Sequence, residues 1–263
     1  MPKVRVKDVE IYYEVHGSGD PVVLMAGLTG TIKNWQLQVP ELEKHYRVVV
    51  FDNRGAGYTD KPDMPYSTKM FADDTAGLMD KLGITKAHII GASMGGAIAQ
   101  EFTLNYPERV RSLTLSCTFH KPDRYLMRIL KVWREIAERA GTVTLTKEII
   151  PWVFTREFYE THEREIEEAE RERIENPQPL RAFLNQCTAC ENHNTEGLLS
   201  KIKAPTLVIV GRDDLLTPPS FSEVISKSIP GSELVILDDS GHAFWTEVVD
   251  EAHKALLSFL KKH

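Results

Sequence analysis

Short apolar runs recur along the chain, and segments with helical periodicity lie between them. Apolar and polar residues alternate over residues 3–16, which predicts a hairpin that turns at residues 17–20. Further strands are predicted at the short apolar runs 22–26, 46–51, 87–91, 110–117, 206–210 and 233–237. Amphipathic helices are predicted at 32–44, 70–82, 94–106, 220–228 and 246–262. Buried strands that alternate with helices are typical of a mostly parallel sheet with helices on both faces.

The alternation of strands and helices stops between residues 119 and 203. This stretch is helical in pattern and rich in charged residues, and an Asn-Pro-Gln-Pro run at 176–179 interrupts it. Because it is far longer than the loops that join elements in compact domains, we predict an inserted helical cap at residues 119–203. Residues 1–118 and 204–263 then form one core domain. Aromatic side chains of the cap, such as Trp152, are candidates for the wall of a substrate pocket.

Composition narrows the class of protein. The chain has 263 residues, of which 42% are hydrophobic, and this is enough for one large α/β domain. A formal net charge of −6 argues against a general nucleic-acid-binding protein, which would carry a basic surface. No run approaches the ~18 apolar residues that a membrane span needs, and the charged residues 1–8 differ from a secretory signal. With three cysteines, we expect a cytoplasmic protein that binds neither nucleic acid nor membrane, as a monomer or a homodimer.

Two of the cysteines, Cys187 and Cys190, form a Cys-x-x-Cys pair in the predicted cap. A structural zinc site needs four ligands, and the chain has no second such pair, although His193 is near in sequence. Free cysteine is most often a small buried apolar residue, so we interpret the pair as two apolar positions on a helix. A local disulfide is the next alternative. We predict no catalytic role for either thiol and no metal site.

The candidate chemistry begins at Gly-Ala-Ser-Met-Gly, residues 91–95, between a predicted strand and a predicted helix. In this context a Gly-x-Ser-x-Gly motif is typical of a nucleophile elbow, a sharp turn that exposes the serine at the end of the sheet. The flanking glycines are needed because a side chain at either position would collide across the turn. Ser93 is therefore the candidate nucleophile, and the N-terminus of the following helix favours negative charge beside it.

A serine nucleophile needs a base and a carboxylate that orients the base, and two later loops offer these residues. One loop carries Asp213 and Asp214, and the other carries His242 directly after a glycine and before the last helix. Both loops follow the carboxyl ends of strands, so we expect them at the same edge of the sheet as Ser93. His242 is the candidate base, and position along the chain leaves both aspartates open as the acid.

The third requirement is a pair of backbone N–H groups that stabilise the oxyanion of an acyl-transfer intermediate. One comes from the residue after the nucleophile, which is Met94. The other is expected from the loop after the third strand, where the chain reads Gly-Leu-Thr-Gly at 27–30. We select Leu28 as this donor, although its side chain is equally well suited to be a plain pocket wall.

Several further motifs accompany the serine, the aspartates and the histidine. They are Asp-Asn-Arg-Gly-Ala-Gly at 52–57, Tyr-Pro-Glu-Arg-Val at 106–110, Pro-Thr-Leu at 205–207 and Ser-Gly-His at 240–242. Together these motifs resemble the α/β-hydrolase superfamily over essentially the whole chain. The resemblance implies an α/β-hydrolase fold, with a mostly parallel eight-stranded sheet, helices on both faces and an inserted helical cap. In that family the acid is the third residue after the glycine of Gly-x-x-Asp, which selects Asp214 over Asp213.

Within the superfamily the chain is most similar to 3-oxoadipate enol-lactonases and to small carboxylesterases with a helical cap. Gly-Thr at 30–31, followed by Trp35, is similar to the enol-lactonase loop. Many members have His-Gly after the third strand, where this chain has Ala26 and Gly27. The backbone donor survives this difference because it needs no particular side chain. The candidate substrate-binding residues are Gly27, Trp35, Trp152 and Phe244.

The residue type at position 93 decides between reaction classes. Relatives that open epoxides or remove halides use a carboxylate nucleophile, whereas this chain has a serine there. A serine, a histidine and an oxyanion hole favour transfer of an acyl group to water through an acyl-enzyme. We expect hydrolysis of carboxylic esters or lactones with small to medium acyl chains by Ser93, His242 and Asp214. The expected substrate is a small-molecule ester, and no cofactor or metal is needed.

Three alternatives stay open at this level. An acyl-CoA-type thioesterase would use the same triad, with Arg124, Arg128 and Arg134 of the cap as candidate phosphate ligands. A carbon–carbon bond hydrolase that acts on a diketone also carries a Ser-Met-Gly-Gly elbow. A ligand receptor on a hydrolase scaffold would keep the triad and turn over slowly, so repeated turnover distinguishes an esterase from a receptor.

Overall fold

The computed structural model describes residues 2–263, apart from the side chain of Glu172. Its strands are β1 Lys3–Val6, β2 Val9–His16, β3 Pro21–Met25, β4 Arg47–Phe51, β5 Ala87–Ala92, β6 Val110–Ser116, β7 Thr206–Gly211 and β8 Glu233–Leu237. They form one eight-stranded sheet in the order β1-β2-β4-β3-β5-β6-β7-β8. The pairs β1–β2 and β2–β4 are antiparallel, and all the other neighbours are parallel. The predicted mostly parallel sheet is confirmed.

The central strands are apolar on both faces, which explains why both faces of the sheet are covered. Val22 and Leu24 of β3 point into one buried cluster, and Val23 and Met25 point into the other. Successive side chains of a strand point to opposite faces, so a strand with this composition needs an apolar partner on each side. Because β3 to β8 run parallel to one another, their carboxyl ends share one edge of the sheet, where the candidate loops lie.

Helices supply these partners. They are α1 Val39–Leu42, α2 Thr68–Lys81, α3 Met94–Asn105, α4 Arg124–Val153, α5 Arg156–Thr161, α6 Glu163–Glu175, α7 Leu180–Asn192, α8 Pro219–Ser228, α9 Phe244–Glu247 and α10 Val249–Leu260. Residues of α2, α3 and α8 share one cluster with the sheet, and residues of α10 share the other. The predicted coverage of both faces by helices is thus confirmed.

Two predicted helices are shorter than the sequence pattern indicates. The helix predicted at 32–44 is a 3₁₀ turn, Ile32–Trp35, followed by the single helical turn α1. Pro40 explains the break, because its ring has no N–H to donate and would clash with the preceding turn of a continuous helix. The helix predicted at 246–262 is divided into α9 and α10 at Val248, whose φ of −130° and ψ of 60° are not helical.

Residues 119–203, which we call the helical insertion, contain α4 to α7 and lie between β6 and β7. Cys187 and Cys190 of α7 are fully buried, free thiols, so the local disulfide is not formed. Burial raises the pKa of Cys190 to about 12, as expected for apolar positions on a helix. Among residues 2–263, no helix combines the length and the apolar character needed to cross a bilayer.

Candidate active site

Ser93 occupies a strained turn between β5 and α3. Its φ of 57° and ψ of −120° lie in a region that non-glycine residues rarely adopt. A Cβ on Gly91 would lie 2.2 Å from the Gly95 carbonyl oxygen, and a Cβ on Gly95 would lie 2.0 Å from the Met25 carbonyl oxygen. Both positions therefore require glycine. The backbone of the elbow is anchored to β6, because the Ser93 N–H donates to the Ser116 carbonyl (2.9 Å).

Asp214 and His242 meet at this same edge of the sheet. The loop after β7 carries Asp214 and the loop after β8 carries His242, and the distance from His242 Nδ1 to Asp214 Oδ2 is 2.8 Å. Asp214 is fully buried, whereas the neighbouring Asp213 is exposed. The structure therefore places Asp214, and not Asp213, beside the histidine.

Asp214 is held in place by donors from its own loop. Its Oδ1 accepts the N–H groups of Leu216 (2.9 Å) and Thr217 (2.8 Å), and its Oδ2 accepts the Thr217 hydroxyl (3.0 Å). Burial raises the pKa of Asp214, but the charge and hydrogen bond of His242 and the Thr217 donors outweigh burial and leave this pKa below the usual 3.8. Asp214 is thus a carboxylate at neutral pH, fixed beside the His242 imidazole.

The loop after β3 packs directly against the serine. A Cβ on Gly27 would lie 3.0 Å from Ser93 Cβ and 3.5 Å from Ser93 Oγ, so glycine permits a close approach of this backbone to the elbow. Leu28 follows in the same loop. Met94 is the first residue of α3, and the first N–H groups of a helix have no partner within the helix. The two predicted oxyanion donors therefore belong to segments on either side of Ser93.

Two of the predicted substrate-binding residues lie in the core. Trp35 is 2% exposed and Phe244 is 0% exposed, and both belong to the cluster between the sheet and α10. Trp35 contacts Trp245 edge to face at 6.2 Å between ring centroids. Neither side chain offers surface to a substrate. Both are core residues, and their prediction as substrate-binding residues is wrong. Trp152 is partly buried against the other cluster.

Three residues around the acid and the base were not singled out from the sequence. The Thr217 hydroxyl lies 3.3 Å from His242 Nδ1 as well as bonding Asp214, and a threonine three residues after an aspartate is a recognisable turn signal. Cys117 Sγ lies within 4.8 Å of an Asp214 oxygen and a His242 nitrogen. Cysteine, aspartate and histidine are also metal ligands, although here the aspartate and the histidine already share a hydrogen bond.

The third is Glu247 of α9, whose carboxylate joins the histidine loop to the helical insertion. It accepts the N–H of Gly241, directly before His242, at 2.6 Å, and the N–H of Thr155, between α4 and α5, at 2.6 Å. The Ala243 N–H donates to the Val153 carbonyl at 2.8 Å and reinforces the same junction. A lone glutamate carries no sequence signal for such a role, because its two partners are backbone groups from distant segments.

Comparisons with known proteins agree with this fold. A family model described as alpha/beta hydrolase fold matches residues 20–247. The chain is 29% identical to the "Putative carbamate hydrolase RutD" of Azorhizobium caulinodans over 98% of both chains. The enol-lactonase from Burkholderia xenovorans has a TM-score of 0.93 and 26% identity, and covers 99% of this chain and 100% of its own. A thermophilic esterase from Thermogutta terrifontis, solved with malate bound, has a TM-score of 0.91 and 28% identity over 100% and 99% of the two chains.

The protein belongs to the α/β-hydrolase family. Its similarity to a carbamate hydrolase, an enol-lactonase and an esterase, each over nearly the whole length, supports hydrolase activity.

Proposed function

We propose that the protein is a serine hydrolase of carboxylic esters and lactones with small to medium acyl chains. The observation that carries the proposal is the pair of buried Asp214 and partly buried His242 at the sheet edge that also carries the strained Ser93 elbow. Each group has the role that its surroundings suit, with Ser93 as nucleophile, His242 as general base and Asp214 as the carboxylate that orients the ring. The enol-lactonase and the esterase among its structural neighbours support this choice of substrate class.

The reaction follows from these roles. His242 accepts the Ser93 hydroxyl proton as Oγ attacks the ester carbonyl carbon, and the developing oxyanion accepts hydrogen bonds from the N–H groups of Leu28 and Met94. Collapse of this intermediate breaks the bond to the alkoxide, which takes the proton from His242 and leaves an ester of Ser93. A water molecule, deprotonated by His242, then attacks the acyl-enzyme and releases the carboxylic acid and free Ser93.

Carbamates are the second candidate substrate class. The curated relative with 29% identity is named as a carbamate hydrolase, and a carbamate carbonyl accepts the same attack by a serine. A thioesterase has less support, because Arg134, one of its three candidate phosphate ligands, is paired with Glu191 and also bonds the Thr188 hydroxyl. The net charge of −6 and the free thiols are consistent with an enzyme of the cytoplasm.

The test is steady-state hydrolysis of p-nitrophenyl esters from acetate to dodecanoate, with a p-nitrophenyl carbamate in parallel and Ser93→Ala beside the wild type. We expect many turnovers per wild-type molecule on short and medium esters and a loss of at least about 10⁴-fold in kcat for Ser93→Ala. Turnover that survives in Ser93→Ala would refute the triad. A higher kcat/KM on the carbamate than on every ester would move the substrate class to carbamates.

A further inference from the structure

Gln186 is a fully buried amide on α7 of the helical insertion, and it bridges two loops of the sheet domain. Its Nε2 donates to the Arg54 carbonyl at 3.0 Å, in the loop after β4. Its Oε1 accepts the N–H of Thr29 at 3.1 Å, in the loop after β3, and also the amide of Gln178 at 3.0 Å. A buried amide is unfavourable unless its polar atoms are paired, and here donor and acceptor both have partners. Those partners determine which way the amide points.

Thr29 is the residue that gives this bond its significance. It directly follows Leu28, the proposed oxyanion donor, and its φ of 63° lies in the left-handed region. A β-branched residue is disfavoured there, so the conformation persists only where surrounding contacts hold it. The Thr29 N–H to Gln186 bond is such a contact. If it is lost, Thr29 is free to return to a negative φ, which would rotate the peptide groups on both sides of it. Because the ends of the loop are held, that rotation would also displace the neighbouring Leu28 and its N–H.

The two ends of the same loop are held by the sheet domain. Asn53 Nδ2 donates to the Ala26 carbonyl at 3.0 Å, and Asp52 Oδ1 accepts the Ile32 N–H at 2.9 Å. Within the loop, the Gly30 N–H donates to the Gly27 carbonyl at 3.0 Å. The side-chain bond to its middle, at Thr29, comes from the helical insertion. The insertion therefore reaches the segment whose backbone lies against Ser93.

We propose that Gln186 is a positioning residue that sets the oxyanion loop from the helical insertion, by holding Thr29 in its left-handed conformation and so aiming the Leu28 N–H at the reacting carbonyl. The inference rests on the proposed function for its effect on catalysis. Its structural part, that Gln186 fixes residues 27–30, is independent of the reaction.

The test compares Gln186→Met with Gln100→Met. Gln100 on α3 is the matched control, since it is equally buried, donates to the Phe119 carbonyl at 3.0 Å and accepts the Thr195 hydroxyl at 2.6 Å. Removing an oxyanion donor typically lowers kcat by about 10²- to 10³-fold. For Gln186→Met we expect a loss of at least about 10-fold in kcat with little change in KM. Gln100→Met should lower the melting temperature while its kcat stays within about threefold of the wild type.

Gln186→Glu is the conservative variant. A buried glutamate is neutralised by burial, so it keeps an acceptor for Thr29 and a hydroxyl donor for Arg54. We expect its kcat to exceed that of Gln186→Met by about 10-fold, even where both melt earlier than the wild type. A role in stability alone would make kcat follow melting temperature across the three variants, and that result would overturn the inference.

Amide hydrogen exchange of residues 27–30 gives a readout that does not depend on turnover. Exchange at Thr29 should be faster in Gln186→Met than in the wild type and unchanged in Gln100→Met. Unchanged exchange in Gln186→Met overturns the inference, whatever the kinetics show. Failure of the proposed function appears separately, as turnover that survives in Ser93→Ala or is absent from the folded wild type. In that case faster exchange still supports the positioning of the loop.

Discussion

Asp214 accepts four hydrogen bonds through a carboxylate that has no exposed surface, while the adjacent Asp213 is exposed. The two residues are chemically identical and adjacent in sequence. They differ in surroundings because successive residues of a chain leave a strand end in different directions. Only the one that turns inward meets His242.

This difference predicts that one of two conservative substitutions lowers activity and the other does not. Asp214→Asn keeps the shape but removes the charge that stabilises protonated His242, and its amide donor favours the wrong imidazole tautomer. We expect kcat for a p-nitrophenyl ester to fall by about 10³- to 10⁴-fold. Asp213→Asn is the matched control and should stay within about twofold of the wild type. A greater loss in Asp213→Asn would show that the acid is misassigned.

Much of this site is predictable from the sequence at the level of single residues. Ser93 is specified by two glycines that steric contact requires, and His242 by a loop at a strand end. Trp35 and Phe244 show where such reasoning fails. A tryptophan beside a catalytic loop and a phenylalanine beside a catalytic histidine carry the same sequence signal whether they face a pocket or the core. Only packing decides between these two places.

At the scale of elements, the histidine loop depends on α9 and on the α4–α5 junction. Glu247 of α9 accepts the backbone N–H of Gly241, in the histidine loop, and that of Thr155, at the α4–α5 junction. Charge-assisted bonds to backbone N–H groups are stronger than neutral ones. The loop that carries His242 is therefore positioned from the helical insertion as well as from β8. Because α9 has only four residues, little helical structure of its own holds it in place.

Replacement of Glu247 tests this dependence. Glu247→Gln keeps one acceptor oxygen and puts an NH₂ group opposite a backbone N–H, so one of the two bonds is lost and two donors face each other. We expect kcat to fall by about 5- to 50-fold because His242 is less well oriented, with KM changed less. Glu251→Gln, at an exposed position on α10, is the control and should match the wild type. Wild-type kcat in Glu247→Gln would contradict the role of this carboxylate.

Elements were predictable where the pattern was long and regular, and less so where a local residue overrides it. The strands and α3 follow directly from apolar runs and from the elbow. The segment 32–44 has helical periodicity, but two local features favour a 3₁₀ turn and one short helix instead. They are Pro40 and the Thr31 hydroxyl, which accepts the Lys33 N–H. The link from Glu247 to Thr155 joins positions 92 residues apart, and no local pattern reveals a contact of that kind.

At the scale of the whole molecule, buried histidines couple stability to pH. His193 follows α7 and bonds the Thr68 hydroxyl at 3.0 Å, and His88 of β5 bonds the Ser112 hydroxyl at 2.7 Å. Burial, and secondly nearby His120, lowers the pKa of His193 to about 3. Burial, and secondly Arg111, lowers the pKa of His88 to about 4. Both rings are neutral in the folded protein under conditions in which an unfolded chain binds protons.

The sign of the effect follows from these pKa values. The unfolded pKa of histidine is about 6.5, so below pH 6.5 the unfolded state binds more protons than the folded state. The stability that the two neutral rings contribute is fully present well above pH 6.5. It is lost as pH falls toward their folded pKa values, about 4 for His88 and about 3 for His193. Each histidine contributes a slope that approaches about 1.4 kcal/mol per pH unit in this window.

Urea unfolding at pH 8, 7, 6 and 5 measures this slope. The contribution of these two rings to the wild-type free energy of unfolding should be nearly constant from pH 8 to 7 and should fall from pH 6 to 5. His193→Gln retains a partner for Thr68 but cannot be protonated. The slope of its free energy of unfolding against pH should therefore be smaller in that window by up to about 1.4 kcal/mol per pH unit, the equivalent of one proton. His88→Gln should flatten the curve independently, and the double variant should lose the sum of both effects, because the two rings lie on separate elements. If His193→Gln kept the wild-type slope between pH 6 and 5, the ring would have to be accessible to protons in the folded state, which its 2% exposure argues against.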